Sequence, residues 1–240
     1  MSAPAGPPGW HGKLPSLGDF ASRRLDGGFI EAWDAWLSAG LVALRQASPE
    51  GWLAAYLASP SWRFLLMPGV MPGQAGAQAW AGVLMPSVDR VGRYFPFTVA
   101  QPLAAGPASA SQNQGLWSWL ARLDELARDA LFDDWTAERL EHELARLPAH
   151  GVGPLAPGPP AGKALLEEAA GGVTDAATQI GIEAHQAWAA QAQGRAWWQA
   201  SPDDAPARLL LSRGLPPAHA MPRLFGPAAT IAASAPRRRP

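Results

Sequence analysis

The sequence predicts an α/β fold that combines short antiparallel strands with amphipathic helices, the helices dominating the second half. Apolar residues recur at three- and four-residue intervals from residue 29 to about residue 46, which is the spacing of a helix with one buried face. Three short apolar runs follow at 62–67, 78–85 and 94–100, a pattern typical of an antiparallel meander rather than of β-α-β units. Because Pro96 has no N–H to donate, we expect an edge position or a bulge in the third run.

The N-terminal part is predicted to contain one strand, one turn and two helices. Residues 1–9 are rich in Pro and Gly and are expected to form a disordered lead. A strand is predicted at 10–14 and a turn at 16–20, where glycine tolerates positive φ and aspartate can bond nearby backbone. Asp26 and the two glycines after it mark the start of the first helix, and a second, short helix is predicted at 52–58.

The second half begins with two amphipathic helices. Helical spacing of Leu and Ala predicts one helix at 116–130 and another at 136–147, with Thr136 as its N-cap. Residues 148–162 contain several prolines and glycines and are predicted to form a long loop.

The C-terminal part is expected to return to strands. A weak helix is predicted at 164–170, two short strands at 195–199 and 208–212, and a last helix at 216–224. Residues 227–240 end in an arginine-rich run and are expected to be a disordered tail.

Composition limits the function classes. The 240 residues are 48% hydrophobic and 16% charged, which suits a domain with a substantial core. The net charge of −1 gives no field that would attract nucleic acid or anionic lipid, so neither partner is expected. Zero cysteines exclude disulfides and thiolate metal sites. Since no signal peptide and no apolar run of about 18 residues is present, we expect a cytoplasmic protein without membrane insertion.

The twelve tryptophans have two interpretations. They could form a bulky core in which each indole N–H finds a partner, or a platform on which bases or sugars stack. The core interpretation is favoured, because they are scattered and are not interleaved with basic residues.

The known catalytic templates do not fit the sequence. Gly12 and Lys13 suggest a phosphate-binding loop, but the required upstream Gly and following Ser or Thr are replaced by Pro7 and Leu14. The five histidines show no metal-ligand spacing, and no G-x-S-x-G elbow occurs. We therefore expect no catalytic, cofactor-binding or metal-binding residues.

Two polar clusters remain as candidate sites. One surrounds the turn at 16–20 and the other lies between two apolar runs; together they comprise Lys13, Asp19, Phe20, Arg23, Arg24, Asp89, Arg90 and Arg93. Asp–Arg pairs could simply fix the two turns, where exposed pairs contribute only about 0–1 kcal/mol. Alternatively the arginines could contact a partner, since arginine is enriched in interface hot spots. Asp89 is expected to hold the fold and Arg90 to contact the partner.

Four ordered blocks of the sequence resemble the TagF family of type VI secretion system-associated proteins. They are Trp10-His11-Gly12-Lys13-Leu14-Pro15-Ser16-Leu17-Gly18-Asp19-Phe20, Trp33-Asp34-Ala35-Trp36-Leu37, Trp62-Arg63-Phe64 and the stretch from Leu84 to Thr98. Ala196-Trp197-Trp198 and the run from Leu209 to Pro216 are similar to the family's C-terminal part. The resemblance covers most of the chain and is weakest at 104–190.

The resemblance implies an α-β-α layered domain at 10–226 around a mixed, largely antiparallel sheet, with 10–103 the best-matched part. It also implies a non-enzymatic repressor that acts after translation by binding the forkhead-associated scaffold protein of the secretion system. Some relatives are fused to a serine/threonine phosphatase domain. The 240 residues leave no room for one, so we expect any phosphatase to act in trans.

Two other functions stay open from the residues. The chain could be a phosphoesterase or small-ligand hydrolase that uses Asp19, Asp89 and Arg93. It could also be a structural adaptor that binds a partner without a regulatory effect.

Overall fold

The computed structural model describes residues 6–103, 110–148, 165–168, 176, 192–201 and 206–226. Eight strands form one sheet: β1 (Gly9–Lys13), β2 (Phe20–Arg23), β3 (Trp62–Leu66), β4 (Ala79–Met85), β5 (Phe97–Leu103), β6 (Leu165–Glu168), β7 (Arg195–Ala200) and β8 (Arg208–Arg213). Their order is β2-β1-β5-β4-β3-β7-β8-β6, and every pairing among these strands is antiparallel. Strands β3, β4 and β5 form the predicted meander.

Helices cover both faces of this sheet. They are α1 (Gly27–Ala47), α2 (Trp52–Leu57), α3 (Ala110–Phe132), α4 (Ala137–Arg146) and α5 (Met221–Leu224), and 3₁₀ turns occur at Gly73–Ala77 and Ala218–Ala220. One core lies between the sheet and α3 with α4, and the other lies between the sheet and α1, α2 and α5. The α-β-α layering is therefore confirmed. No helix in the described ranges is long and apolar enough to span a membrane.

The caps explain where two helices begin. Asp26 Oδ1 accepts hydrogen bonds from the N–H groups of Gly28 (2.8 Å) and Phe29 (3.3 Å) and so starts α1. Thr136 Oγ1 accepts from the N–H of Arg139 (3.3 Å), which confirms the predicted cap of α4. In both cases a short polar side chain satisfies N–H groups that have no partner inside the helix.

The interpretation of the tryptophans as core residues is confirmed for those that are fully buried. Six of the largest fully buried side chains are Trp10, Trp33, Trp62, Trp80, Trp197 and Trp198. Several indole N–H groups donate to specific acceptors, such as Trp33 to Thr98 Oγ1 and Trp62 to the carbonyl of Leu224, each at 2.9 Å. These bonds remove the cost of burying an indole N–H.

Three predictions about strands and helices were wrong. The strand expected at 94–100 begins only at Phe97, so Pro96 lies before it, and β5 is an interior strand rather than an edge. Leu165–Glu168 is strand β6, not part of a helix, because it pairs with β8. The helix expected at 216–224 is instead a 3₁₀ turn followed by the single turn α5. Strand β2 was not predicted.

The loop predicted at 148–162 and the tail predicted at 227–240 lie outside the described residues, except for Pro148.

Candidate functional site

The candidate site is built from three loops that meet at one end of the sheet. These segments, 14–19, 86–96 and 132–136, are called the loop end below. Leu17 O accepts from the N–H of Arg90 (3.1 Å), and the Arg93 guanidinium donates to the carbonyl of Gly18. Ser16 Oγ donates to the carbonyl of Trp135 at 2.6 Å. Segments that are far apart in the sequence are thus connected by direct hydrogen bonds.

Asp89 organises the 86–96 loop from within. Its Oδ1 accepts from the N–H groups of Val91 (3.1 Å) and Arg93 (2.9 Å), and its N–H donates to the carbonyl of Arg93 (3.0 Å). Gly92 supplies the turn with a φ of 81° that most side chains disfavour. Val88 and Tyr94 then form an isolated antiparallel bridge that closes the loop.

Lys13 and Asp89 form a buried ion pair between the end of β1 and this loop. Lys13 Nζ lies 2.9 Å from Asp89 Oδ2, and the side chains are 2% and 0% exposed. Arg93 Nε donates to the same oxygen at 2.7 Å, while Asp19 is farther from Lys13 Nζ, at 3.8 Å. Burial alone would raise the pKa of Asp89, but the hydrogen bonds from Arg93, Lys13 and Val91 lower it below its ordinary value. The carboxylate is therefore ionised and fully used inside the fold.

A second contact connects the loop to the helical layer. Tyr56 on α2 donates its hydroxyl to the carbonyl of Ser87 at 2.9 Å, and the N–H of Ser87 donates back to that hydroxyl at 2.8 Å. Ser87 Oγ donates to the carbonyl of Lys13 at 2.7 Å. Burial raises the pKa of Tyr56, since its phenolate would lose solvation, and the Ser87 bond only partly opposes this.

Phe20 covers the Lys13 ammonium from the outside. Lys13 Nζ lies 3.9 Å from the centre of the Phe20 ring, a cation–π contact. The same ring stacks on His11 and meets Phe95 edge-on, with centroid distances of 6.0 Å and 4.9 Å. Burial lowers the pKa of His11, and the hydrogen bond from its Nε2 to Asp34 (3.4 Å) partly opposes that change.

Arg23 and Arg24 lie apart from the Lys13–Asp89 pair. Arg24 forms an ion pair with Glu141 on α4, and that carboxylate also accepts from Trp10 Nε1 at 2.5 Å. Arg23 Nη1 donates to the carbonyl of the preceding Ser22 at 2.8 Å. The cluster predicted around the first turn therefore divides: Lys13, Asp19 and Phe20 join Asp89 and Arg93, whereas the two arginines of β2 and its end face elsewhere.

The outer surface of the loop end is apolar and charged. Phe20, Val91 and Phe132 are 46%, 63% and 90% exposed. Arg90 is also exposed, and its guanidinium lies over Gly18, 3.8 Å from where a Cβ of that residue would be. Sequence reasoning missed Val91 and Phe132. Phe132 could have been noticed as a large apolar residue outside the helical spacing of the buried side chains of α3.

Two other features lie outside the loop end. Ser61, Arg63 and Asp124 form a largely buried group between β3 and α3, in which Arg63 Nε donates to Asp124 Oδ2 at 3.0 Å. A groove between α1, α2 and α5 is lined by Leu44, Ala47, Ser48, Gly51, Ala54, Ala55, Ala58, Pro222, Phe225 and Gly226, none of them ionisable. No group of three or more metal-binding side chains occurs among the described residues.

Comparison with known proteins identifies the family. A family model described as "TagF N-terminal domain, Type VI secretion system-associated" matches residues 9–147, which is more than half of the chain. The chain belongs to this family. The matched range contains all three segments of the loop end, and membership makes the protein a type VI secretion-associated protein, as the resemblance implied.

A solved structure supports the fold over nearly the whole chain. It is the crystal structure of PA0076 from Pseudomonas aeruginosa PAO1 at 2.05 Å resolution, which is 35% identical in sequence. The similarity covers 91% of this chain and 94% of that one, with a TM-score of 0.68. A search of curated proteins found no match.

Proposed function

We propose that this chain is a non-enzymatic, cytoplasmic repressor of type VI secretion, which acts after translation by binding a forkhead-associated scaffold protein. The observation that carries the proposal is the family match over residues 9–147. The family resemblance supplies the regulatory role and the partner class. The protein would act by occlusion, covering a scaffold surface that the secretion apparatus needs for assembly.

The geometry of the loop end favours binding over catalysis. A general base must come within hydrogen-bond reach of a substrate, but the Asp89 side chain is 0% exposed and both its oxygens already accept hydrogen bonds. What faces solvent is a mixture of aromatic, aliphatic and arginine side chains, a composition common in protein interfaces.

Occlusion predicts a stoichiometric effect, because each repressor molecule covers one scaffold surface. Raising the cellular concentration of the scaffold should therefore relieve repression. A serine/threonine phosphatase that takes part would act in trans. Comparing repression in strains with and without that phosphatase measures its contribution to repression.

Gene deletion and co-purification test the proposal together. Deleting the gene should raise effector secretion without changing transcript levels of the secretion genes, and the tagged chain should co-purify with the forkhead-associated protein. Unchanged secretion in a strain with an active apparatus would contradict repression. Binding without any change in secretion would instead indicate a structural adaptor.

A further inference from the structure

Exposed apolar side chains are concentrated at the loop end. The described residues include five large hydrophobic side chains that are exposed: Phe20, Val42, Leu57, Val91 and Phe132. Phe20, Val91 and Phe132 belong to or directly adjoin the three joined loops, with Phe20 on the side of the sheet covered by α1 and α2 and Phe132 at the end of α3 on the other side. Val42 and Leu57 lie on α1 and α2. Exposed apolar residues that occur singly need no explanation, but a group of them commonly marks an interaction surface.

This surface is held in place before any partner arrives. Phe20 packs on His11 and Phe95. The N–H of Val91 donates to the buried carboxylate of Asp89. The Ser16–Trp135 hydrogen bond fixes the turn that follows Phe132 against the first loop. A preorganised surface loses less conformational entropy on binding, which raises affinity.

Charges on the surface are unevenly distributed. Around the Lys13–Asp89 pair, Asp19 lies 3.5 Å from Arg93 Nη2 and 3.8 Å from Lys13 Nζ, so these four side chains balance one another. Arg90 is the remaining cation, and its guanidinium has no ion-pair or hydrogen-bond partner among the described residues. Near Phe132 the exposed charges have both signs: Asp133 and Asp134 are exposed, and so is Arg139, whose guanidinium lies 4.1 Å from the centre of the Trp135 ring.

We infer that the loop end is the docking surface for the partner, and that the partner presents an apolar patch with a carboxylate opposite Arg90. This inference rests on the proposed function and assigns a surface to it. Pairing of that carboxylate with Arg90 would help to fix the orientation of the partner, since a like charge brought to Arg90 at the interface would be costly.

Binding of the purified full-length chain to the purified forkhead-associated scaffold protein tests the surface. Three substitutions alter exposed side chains there: Arg90→Glu, Val91→Asp and Phe132→Asp. Matched controls are Leu57→Asp and Val42→Asp, which are 52% and 53% exposed on other elements, and Arg122→Glu on α3. Thermal unfolding of each variant verifies that the fold is unchanged, so that a loss of binding reports on the surface.

The possible outcomes distinguish a wrong docking surface from a wrong proposed function. The surface is supported if wild type and the three controls bind alike while each loop-end variant binds at least about tenfold more weakly. If wild type binds and the loop-end variants bind equally well, the surface is wrong and the proposed function stands. If wild type does not bind the scaffold protein at all, the proposed function is wrong and the surface assignment falls with it.

Discussion

The hydroxyl of Tyr56 exchanges two hydrogen bonds with the backbone of Ser87, donating at 2.9 Å and accepting at 2.8 Å. The Tyr56 hydroxyl thereby satisfies the backbone N–H and C=O of Ser87, as a neighbouring strand would. Since Ser87 Oγ also bonds the carbonyl of Lys13, the helical layer, the loop and the end of β1 meet at this point.

Tyr56→Phe should lower the free energy of unfolding by about 1–3 kcal/mol, the cost of leaving a buried N–H unpaired. The carbonyl of Ser87 retains the bond from the N–H of Phe95 (3.2 Å), so only the Ser87 N–H loses its partner. Urea unfolding measures the change. Tyr94→Phe is the matched control, because the Tyr94 hydroxyl has no hydrogen bond within the described part of the chain, and an equal loss there would contradict the explanation.

Replacing Lys13 should restore part of the stability that is lost when the charge of Asp89 is removed. Asp89→Asn leaves the Lys13 ammonium buried without a carboxylate at hydrogen-bonding distance, which is strongly destabilising. Adding Lys13→Met removes that uncompensated charge, so the double variant should unfold several degrees higher than Asp89→Asn alone. Thermal unfolding of the wild type, both single variants and the double variant provides the comparison. A double variant no more stable than Asp89→Asn would show that the ammonium is not the source of the cost.

His11 should make stability depend on pH. Burial lowers the folded-state pKa of His11 below its ordinary 6.5, so the unfolded chain binds a proton more readily. The contribution of neutral His11 to the free energy of unfolding is therefore complete above about pH 6.5. It declines as the pH falls toward the folded-state pKa, by at most about 1.4 kcal/mol per pH unit.

Unfolding in urea at pH 7.5 and 5.5 would reveal this decline. His11→Phe keeps an aromatic ring against Phe20 and should flatten the pH dependence, whereas His142→Gln, at an exposed position on α4, should leave it intact. A His11→Phe profile as steep as that of wild type would assign the dependence to other groups.

Gly12→Ala should prevent the native packing of β1 against the 86–96 loop. Gly12 has a φ of 128°, and a Cβ there would lie 2.2 Å from the carbonyl oxygen of Pro96. The expected result is loss of folded protein in circular dichroism and in expression yield. Gly27→Ala is the control: a Cβ at that position would meet nothing within 4 Å, so stability should stay the same or rise by up to about 1 kcal/mol. A well-folded Gly12→Ala protein would show that the loop can move away.

Local patterns in the sequence predicted most of the fold. The helices α1, α3 and α4 follow from apolar spacing and from the caps at Asp26 and Thr136, because those signals act within a few residues. Strand β6 was predicted as a helix because its four residues have no strand pattern of their own, and only pairing with β8 makes them extended. The α-β-α layering came from the family resemblance.

The candidate site was predicted in part. Its charged residues stood out in the sequence, but their roles depend on which are buried, and burial arises only when β1 and the 86–96 loop meet. Lys13 and Asp89 are buried, whereas Arg90 is exposed. Phe132 could not be assigned to the loop end from the sequence, since the turn that follows it is joined to residues 14–19 only by the Ser16–Trp135 contact between distant segments.

The outer edge of β2 carries its own side-chain caps. The N–H of Phe20 donates to Asp19 Oδ1 at 2.8 Å, and the carbonyl of Ser22 accepts from Arg23 at 2.8 Å. An incoming strand would have to displace both side chains before it could pair with this edge. This edge of the sheet, next to the surface assigned to the partner, is thus protected from adding a further strand and from edge-to-edge aggregation. Recognition there would depend on side-chain identity rather than on backbone pairing, which any extended peptide could offer.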